Sequence, residues 1–154
     1  MSINQKTFFN WGRNTKINPK EIFPKKLSDL KKAINEKSFI STGNQRSFGD
    51  VALNDKLIIS MRNFKKVIYF NEKKGIIELE CGVLLKEILP IIVKKNWIFP
   101  VTPGTKYVSI GGMVANNIHG KNTQKNQIKF YVKNIKLLTV NKKIISCSPK
   151  KNRK

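Results

Sequence analysis

The chain reads Pro100-Val101-Thr102-Pro103-Gly104-Thr105 and, after Lys106-Tyr107, Val108-Ser109-Ile110-Gly111-Gly112-Met113-Val114-Ala115-Asn116-Asn117-Ile118-His119-Gly120-Lys121-Asn122. The Gly111-Gly112 pair carries no Cβ, so backbone N–H groups around it can approach a phosphate or a ring system. Small residues on either side let a flat cofactor lie against the chain. Taken alone, a Gly-Gly pair and one histidine are better read as a tight turn and a surface histidine. The surrounding sequence has to decide between that reading and a cofactor site.

Upstream, Ser28 to Ile34 reads as a short helix with Ser28 as N-cap and Leu27, Leu30 and Ile34 on one face. A brief strand over Ser38 to Ser41 runs into Gly43-Asn44-Gln45-Arg46-Ser47-Phe48-Gly49-Asp50, which glycine and small polar residues mark as a loop. Apolar segments at 56–61, 66–70 and 75–80 predict strands, the last two joined as a hairpin through Asn71-Glu72-Lys73-Lys74. Residues 83–95 carry the apolar spacing of a helix, which Pro90 should kink or divide. Trp97 to Val101 reads as a short strand or extended segment, and 128–140 and 143–147 as two strands around Asn141-Lys142. The order is mixed, so the expected fold class is α+β, with a small α/β unit over 20–103 and the start of a second sheet after it.

The length of 154 residues fits one domain with a real core. No apolar run approaches the roughly 20 residues that span a bilayer. The opening Met1-Ser2-Ile3-Asn4-Gln5-Lys6 lacks the apolar stretch of a secretory signal, which makes the cytoplasm the expected compartment. Cys81 and Cys147 form no C-x-x-C pair, so buried thiols are expected and no metal site. The formal charge of +22 admits a nucleic-acid or anionic-membrane binder. Yet the charge is almost all lysine, spread along the chain, with Arg13, Arg46, Arg62 and Arg153 the four arginines. Base readout favours the planar fork of arginine, so a solvated surface without specific nucleic-acid binding is expected. No G-x-G-x-x-G opens a βαβ unit and no G-x-x-x-x-G-K-[ST] is present, which excludes the usual NAD-binding and P-loop signatures.

Three motifs stand in order in the quoted stretch: a Pro-Gly-Thr turn at Pro103 to Thr105, a Ser-Ile-Gly-Gly turn at Ser109 to Gly112, and His119-Gly120-Lys121-Asn122 after a run of small residues. Together they resemble the cofactor-lining segment of FAD-linked oxidoreductases of the vanillyl-alcohol-oxidase superfamily. The resemblance is to the branch of decaprenylphosphoryl-ribose 2-oxidase and the sugar-lactone oxidases. Arg46-Ser47-Phe48-Gly49-Asp50 resembles that family's pyrophosphate loop, Trp11-Gly12-Arg13 its opening motif, and Cys81-Gly82-Val83 the start of a helix that it places there. The resemblance covers residues 8 to about 149 and implies the PCMH-type FAD-binding fold, here its first α/β subdomain and the beginning of the second. It divides the chain into a lead-in over 1–19, a partial FAD-binding domain over 20–149 and a basic tail over 150–154.

By the same resemblance, the cofactor-binding residues include Ser41 and Thr42, with Gly43, Asn44, Gln45, Arg46, Ser47, Phe48 and Gly49 holding the pyrophosphate. Gly104, Ser109, Ile110, Gly111, Gly112, Asn116, Ile118 and His119 would line the ring system and ribityl chain. Lys121 would face the substrate, and no residue is assigned to catalysis. Arg46 stands where covalent members carry the histidine tether, which implies non-covalent FAD. Arg46 and Gly111-Gly112 should meet in one cleft. The chain departs from the family at Gln45, where a glycine is usual, at Phe48, where tyrosine is frequent, and at Thr123 to Phe130, which lacks the usual glycine turn. The family continues beyond Ser148-Pro149 into further strands and a substrate domain with the catalytic base. The expectation is the FAD-binding segment of an oxidoreductase acting on a sugar or polyol hydroxyl, truncated or split and inactive without a separate C-terminal half. The rival expectation is a lysine-rich remnant without flavin that binds nucleic acid non-specifically.

Overall fold

The computed structural model describes residues 2–121 and 125–152, so Met1, Asn122, Thr123, Gln124, Arg153 and Lys154 lie outside the described residues. In chain order the strands and helices are β1 (Ser2–Gln5), β2 (Phe8–Phe9), β3 (Lys16–Ile17), β4 (Lys20–Phe23), α1 (Leu27–Ala33), β5 (Ile40–Thr42), β6 (Leu57–Ser60), β7 (Val67–Asn71) and β8 (Ile76–Leu79). They continue with α2 (Leu85–Val93), α3 (Ile110–Ala115), β9 (Ile135–Leu138) and β10 (Ile144–Cys147). The fold is α+β.

Leu57-Ile58-Ile59-Ser60 is buried at every position, as a strand covered on both faces must be. It therefore forms the middle of a four-stranded mixed sheet ordered β1-β4-β6-β5. β6 runs parallel to both β4 and β5, while β1 pairs antiparallel with β4 from Ser2↔Phe23 to Gln5↔Lys20. The lead-in thus supplies an edge strand of the main sheet. Ile22, Leu57 and Ile59 pack with Leu30 and Ala33 of α1 as one core. Glu21, only 2 % exposed, is neutralised by the Arg62 guanidinium at 3.2 Å, and Arg62 Nε also donates to Ser60 Oγ. A buried carboxylate stays charged only with such a partner.

A second core is built from Val83, Leu85, Ile88 and Ile92 of the α2 region with Val101, Met113 and Ile128. The β7–β8 hairpin packs its Phe70, Ile77 and Leu79 against it. Trp97 lies over the Gly75 turn of that hairpin, close enough that a Cβ on Gly75 would sit 2.5 Å from the ring, and its Nε1 donates to Glu72 O. β9 and β10 form an antiparallel hairpin tied to β8 by Lys136 Nζ on Glu78 at 2.7 Å.

Three local expectations are corrected, and of the two readings of Trp97 to Val101 the strand drops out. α1 is capped not by Ser28 but by Asp29, whose carboxylate accepts from the Lys25 and Lys26 amides. Those backbone bonds hold its pKa below the usual value. α2 runs undivided through Pro90, because Pro90 is on the exposed face, where the carbonyl left without a helical donor meets water. Trp97 to Val101 joins no strand. Residues 128–140 break into a 3₁₀ turn, Ile128–Phe130, and then β9.

Candidate functional site

The loop after β5 and the start of α3 are pressed together at Gly43. A Cβ there would lie 1.9 Å from Ser109 Oγ and 2.7 Å from Ser109 Cβ, so no larger residue fits between them. One residue on, Asn44 Nδ2 donates to Tyr107 O at 2.7 Å. Ser109, buried, caps α3 by accepting from Gly112 N at 3.2 Å. Gly111 in turn sits on the Cys81 turn, where a Cβ would meet Cys81 Cβ at 2.8 Å and Cys81 O at 3.0 Å. Burial against this contact pushes the Cys81 thiol pKa up. Three segments distant in sequence, around Gly43, Cys81 and Gly111, therefore converge, and Arg46, on the first of them, holds its guanidinium 5.9 Å from the Tyr107 ring.

Gly111-Gly112 is not a turn with free amides, as its sequence suggests. It is the first turn of α3, and its donors are already used: Ile110 N reaches Val83 O, Gly111 N reaches Cys81 O and Met113 N reaches Ser109 O. The pair allows close packing instead of offering N–H groups to a ligand. Free donors lie in the other segment. Among the described residues, the amides of Asn44, Gln45, Arg46, Ser47, Phe48 and Gly49 have no protein acceptor. Gln45 holds φ +51° and Gly49 φ +68°, so the loop doubles back at both ends. This is the left-handed conformation that glycine adopts freely and that costs a residue with Cβ about 1–2 kcal/mol. Successive amides without protein acceptors are donors that an anion can use.

Around the loop the surface is open. A Cβ on Gly49 or on Gly104 would meet nothing within 4 Å. Thr42, 4 % exposed, has a hydroxyl with no partner among the described residues. Phe48 and Trp11, 73 % and 67 % exposed, stand edge to face with centroids 5.0 Å apart, beside a shallow cleft lined by Asn10, Gln45, Ser47 and Leu53. The unused amides and the Arg46 side chain are the groups that suit an anion such as a phosphate.

Of the remaining residues, Asn116, Ile118, His119 and Lys121 lie at the far end of α3, which is about 9 Å long at 1.5 Å per residue. Ser41 is exposed on β5, and Ile110 and Ile118 are half-buried against the second core. Asn116 Nδ2 turns back onto Gly112 O, and Asn117 at φ +43° closes the helix, with Ile118 N on Met113 O. His119 is exposed and bridges Gln127 through its backbone, and Lys121 is exposed beyond it. Asn122 of the His119 motif lies outside the described residues. Sequence reading missed Tyr107, Lys86 and Lys106, which crowd the Arg46 side of the loop. No pattern in their spacing marks them.

The family described as FAD binding domain matches residues 22–148. Decaprenylphosphoryl-beta-D-ribose oxidase of Mycolicibacterium smegmatis is 30% identical over 112 residues, covering 71% of this chain and 24% of that protein. L-gulonolactone oxidase of Bos taurus is 24% identical over 151 residues, covering 94% of this chain and 34% of its own length. A variant of BBE-like 1 from Physcomitrella patens shares the fold, with a TM-score of 0.74 at 15% identity over 88% of this chain and 31% of its own. The chain spans about a quarter to a third of the length of these relatives.

Proposed function

Because this chain belongs to the FAD binding domain family, we propose that it holds FAD for an oxidoreductase acting on a sugar or polyol hydroxyl. One observation carries the reading: the six unused amides from Asn44 to Gly49 close onto the start of α3 through the Gly43–Ser109 contact. In this reading those amides and Arg46 hold the pyrophosphate, and the Thr42 hydroxyl gains the partner it lacks. Gly104 leaves room for the ring system, His119 lies beside it and Lys121 faces the substrate. When bound, FAD supplies the two-electron acceptor, and the chain's own task is to orient it and exclude water.

Arg46 occupies the position at which a histidine would be needed for a covalent link, so denaturation releases the cofactor intact. In this reading the further length of relatives about three times as long would contribute surface to the cleft, and this chain alone binds FAD weakly and turns over no substrate. Each hydrogen bond to a charged group that is not made costs on the order of 1.5–3 kcal/mol, so several together lower affinity by many powers of ten. The test is a calorimetric titration of FAD into the chain, alone and with the C-terminal part of a relative supplied in trans. Affinity that rises on complementation supports the reading. No FAD binding under either condition ends it, and tight stoichiometric binding or oxidase activity by the chain alone overturns its dependence on added surface.

A further inference from the structure

Each of four rings in the described structure has one cation over it: Phe8 has Lys6, Phe9 has Arg13, Phe23 has Arg62 and Phe130 has Lys129. Tyr107 has three. Lys86 Nζ is 5.3 Å from its centroid, Lys106 Nζ 5.9 Å and Arg46 Cζ 5.9 Å. Among the described residues none of the three cations joins an ion pair; the pairs found are Lys56–Asp55, Arg62–Glu21, Lys95–Glu72 and Lys136–Glu78. The carboxylate next to Lys86, Glu87, is committed to the Leu84 amide as the cap of α2.

The backbone fixes this arrangement. Lys86 N donates to Lys106 O at 2.8 Å, joining the start of α2 to the segment before α3, and Asn44 ties the Arg46 loop to Tyr107 O. Tyr107 is 44 % exposed, so the cluster lies at the surface. Three like charges each within 6 Å of one point lie no more than twice that distance apart, comparable with the screening length of about 8 Å at physiological salt, so their repulsion is only partly screened. The ring quadrupole offsets part of that repulsion, and an anion offsets more.

We infer that Arg46, Lys86 and Lys106 form an anion site around Tyr107 that takes a phosphate group. Arginine gives a two-pronged contact and the lysines point charges, the combination that suits a phosphate dianion. The phosphate belongs either to the cofactor or to a separate phosphorylated ligand, and the two sources can be told apart.

Inorganic pyrophosphate is titrated into the full chain without flavin, with sodium chloride adjusted to hold ionic strength constant, and the melting temperature is followed. The wild type should show a saturable rise. A Lys86→Gln, Lys106→Gln double variant should lose affinity by about tenfold or more, while Lys31→Gln, Lys32→Gln on α1 keeps it. An equal rise in the double variant, or none in the wild type, overturns the site. FAD and riboflavin then identify the source: pyrophosphate that competes with FAD but not with riboflavin marks the cofactor's own phosphate. Pyrophosphate that binds unchanged to the FAD-loaded chain marks a separate ligand. Because the first titration needs no flavin, the anion site and the flavin reading can fail separately.

Discussion

At Gln45 the loop needs a left-handed backbone, and the side chain there decides its cost. Gln45→Val should destabilise the chain by about 1–2 kcal/mol in urea unfolding, because a β-branched residue tolerates φ near +51° least, while Gln45→Gly should be neutral or better. Gly43→Ala puts a methyl where Ser109 Oγ already stands and should cost roughly 1–3 kcal/mol and weaken flavin binding as well. Cys81 tests the same contact through its thiol. Its pKa is raised by burial, so its contribution to stability is present below the unfolded value of about 8.5 and lost as pH climbs through the folded one. Alkylation of Cys81 at pH near 8, followed by mass spectrometry, should therefore be slow in the native chain and fast in urea.

α3 shows how an element can contradict its composition. Two glycines cost a helix about 1 kcal/mol each relative to alanine, so Gly111-Gly112 reads as a turn. The helix forms because Ser109 caps it and because Gly111 lets it seat on Cys81. Gly111→Ala should thus destabilise by about 1–3 kcal/mol despite its gain in propensity, whereas Gly112→Ala should stay within about 1 kcal/mol of wild type. Ser109→Ala should cost about 1 kcal/mol; thermal unfolding of the three variants checks the order. Elements with strong periodicity were legible: the α2 stripe, buried β6, and the β7–β8 and β9–β10 hairpins. The lead-in strands were not, since β1 takes its order from pairing with β4 and β2–β3 are two residues each. Nor was the Asp29 cap, which acts from inside the first turn. The segment from Gly43 to Gly49 was legible as a loop. The Tyr107 cluster was not, because Arg46, Lys86 and Lys106 come from three segments that only the tertiary fold brings together.

Across the whole molecule the charge of +22 is distributed over surfaces that carry little acid to balance it. Self-repulsion of this kind is screened by salt, with a Debye length falling from about 30 Å at 0.01 M to 10 Å at 0.1 M. The melting temperature should therefore rise with sodium chloride over that range. Duplex DNA should bind without sequence preference at about 10⁻⁴–10⁻⁶ M or weaker at physiological salt; a sub-micromolar, sequence-selective complex would favour a nucleic-acid binder instead. No helix among the described residues is long and apolar enough to cross a membrane. The exposed pairing of Trp11 with Phe48 has an optical consequence. The chain has two tryptophans, and the other, Trp97, is held over the β7–β8 turn. In a Trp97→Phe variant all indole emission comes from Trp11, beside the Gln45–Gly49 loop. Flavin absorbs where indole emits, so a flavin arriving at that loop should quench this single emitter by energy transfer, reporting occupancy of the cleft from the protein's side without any added label.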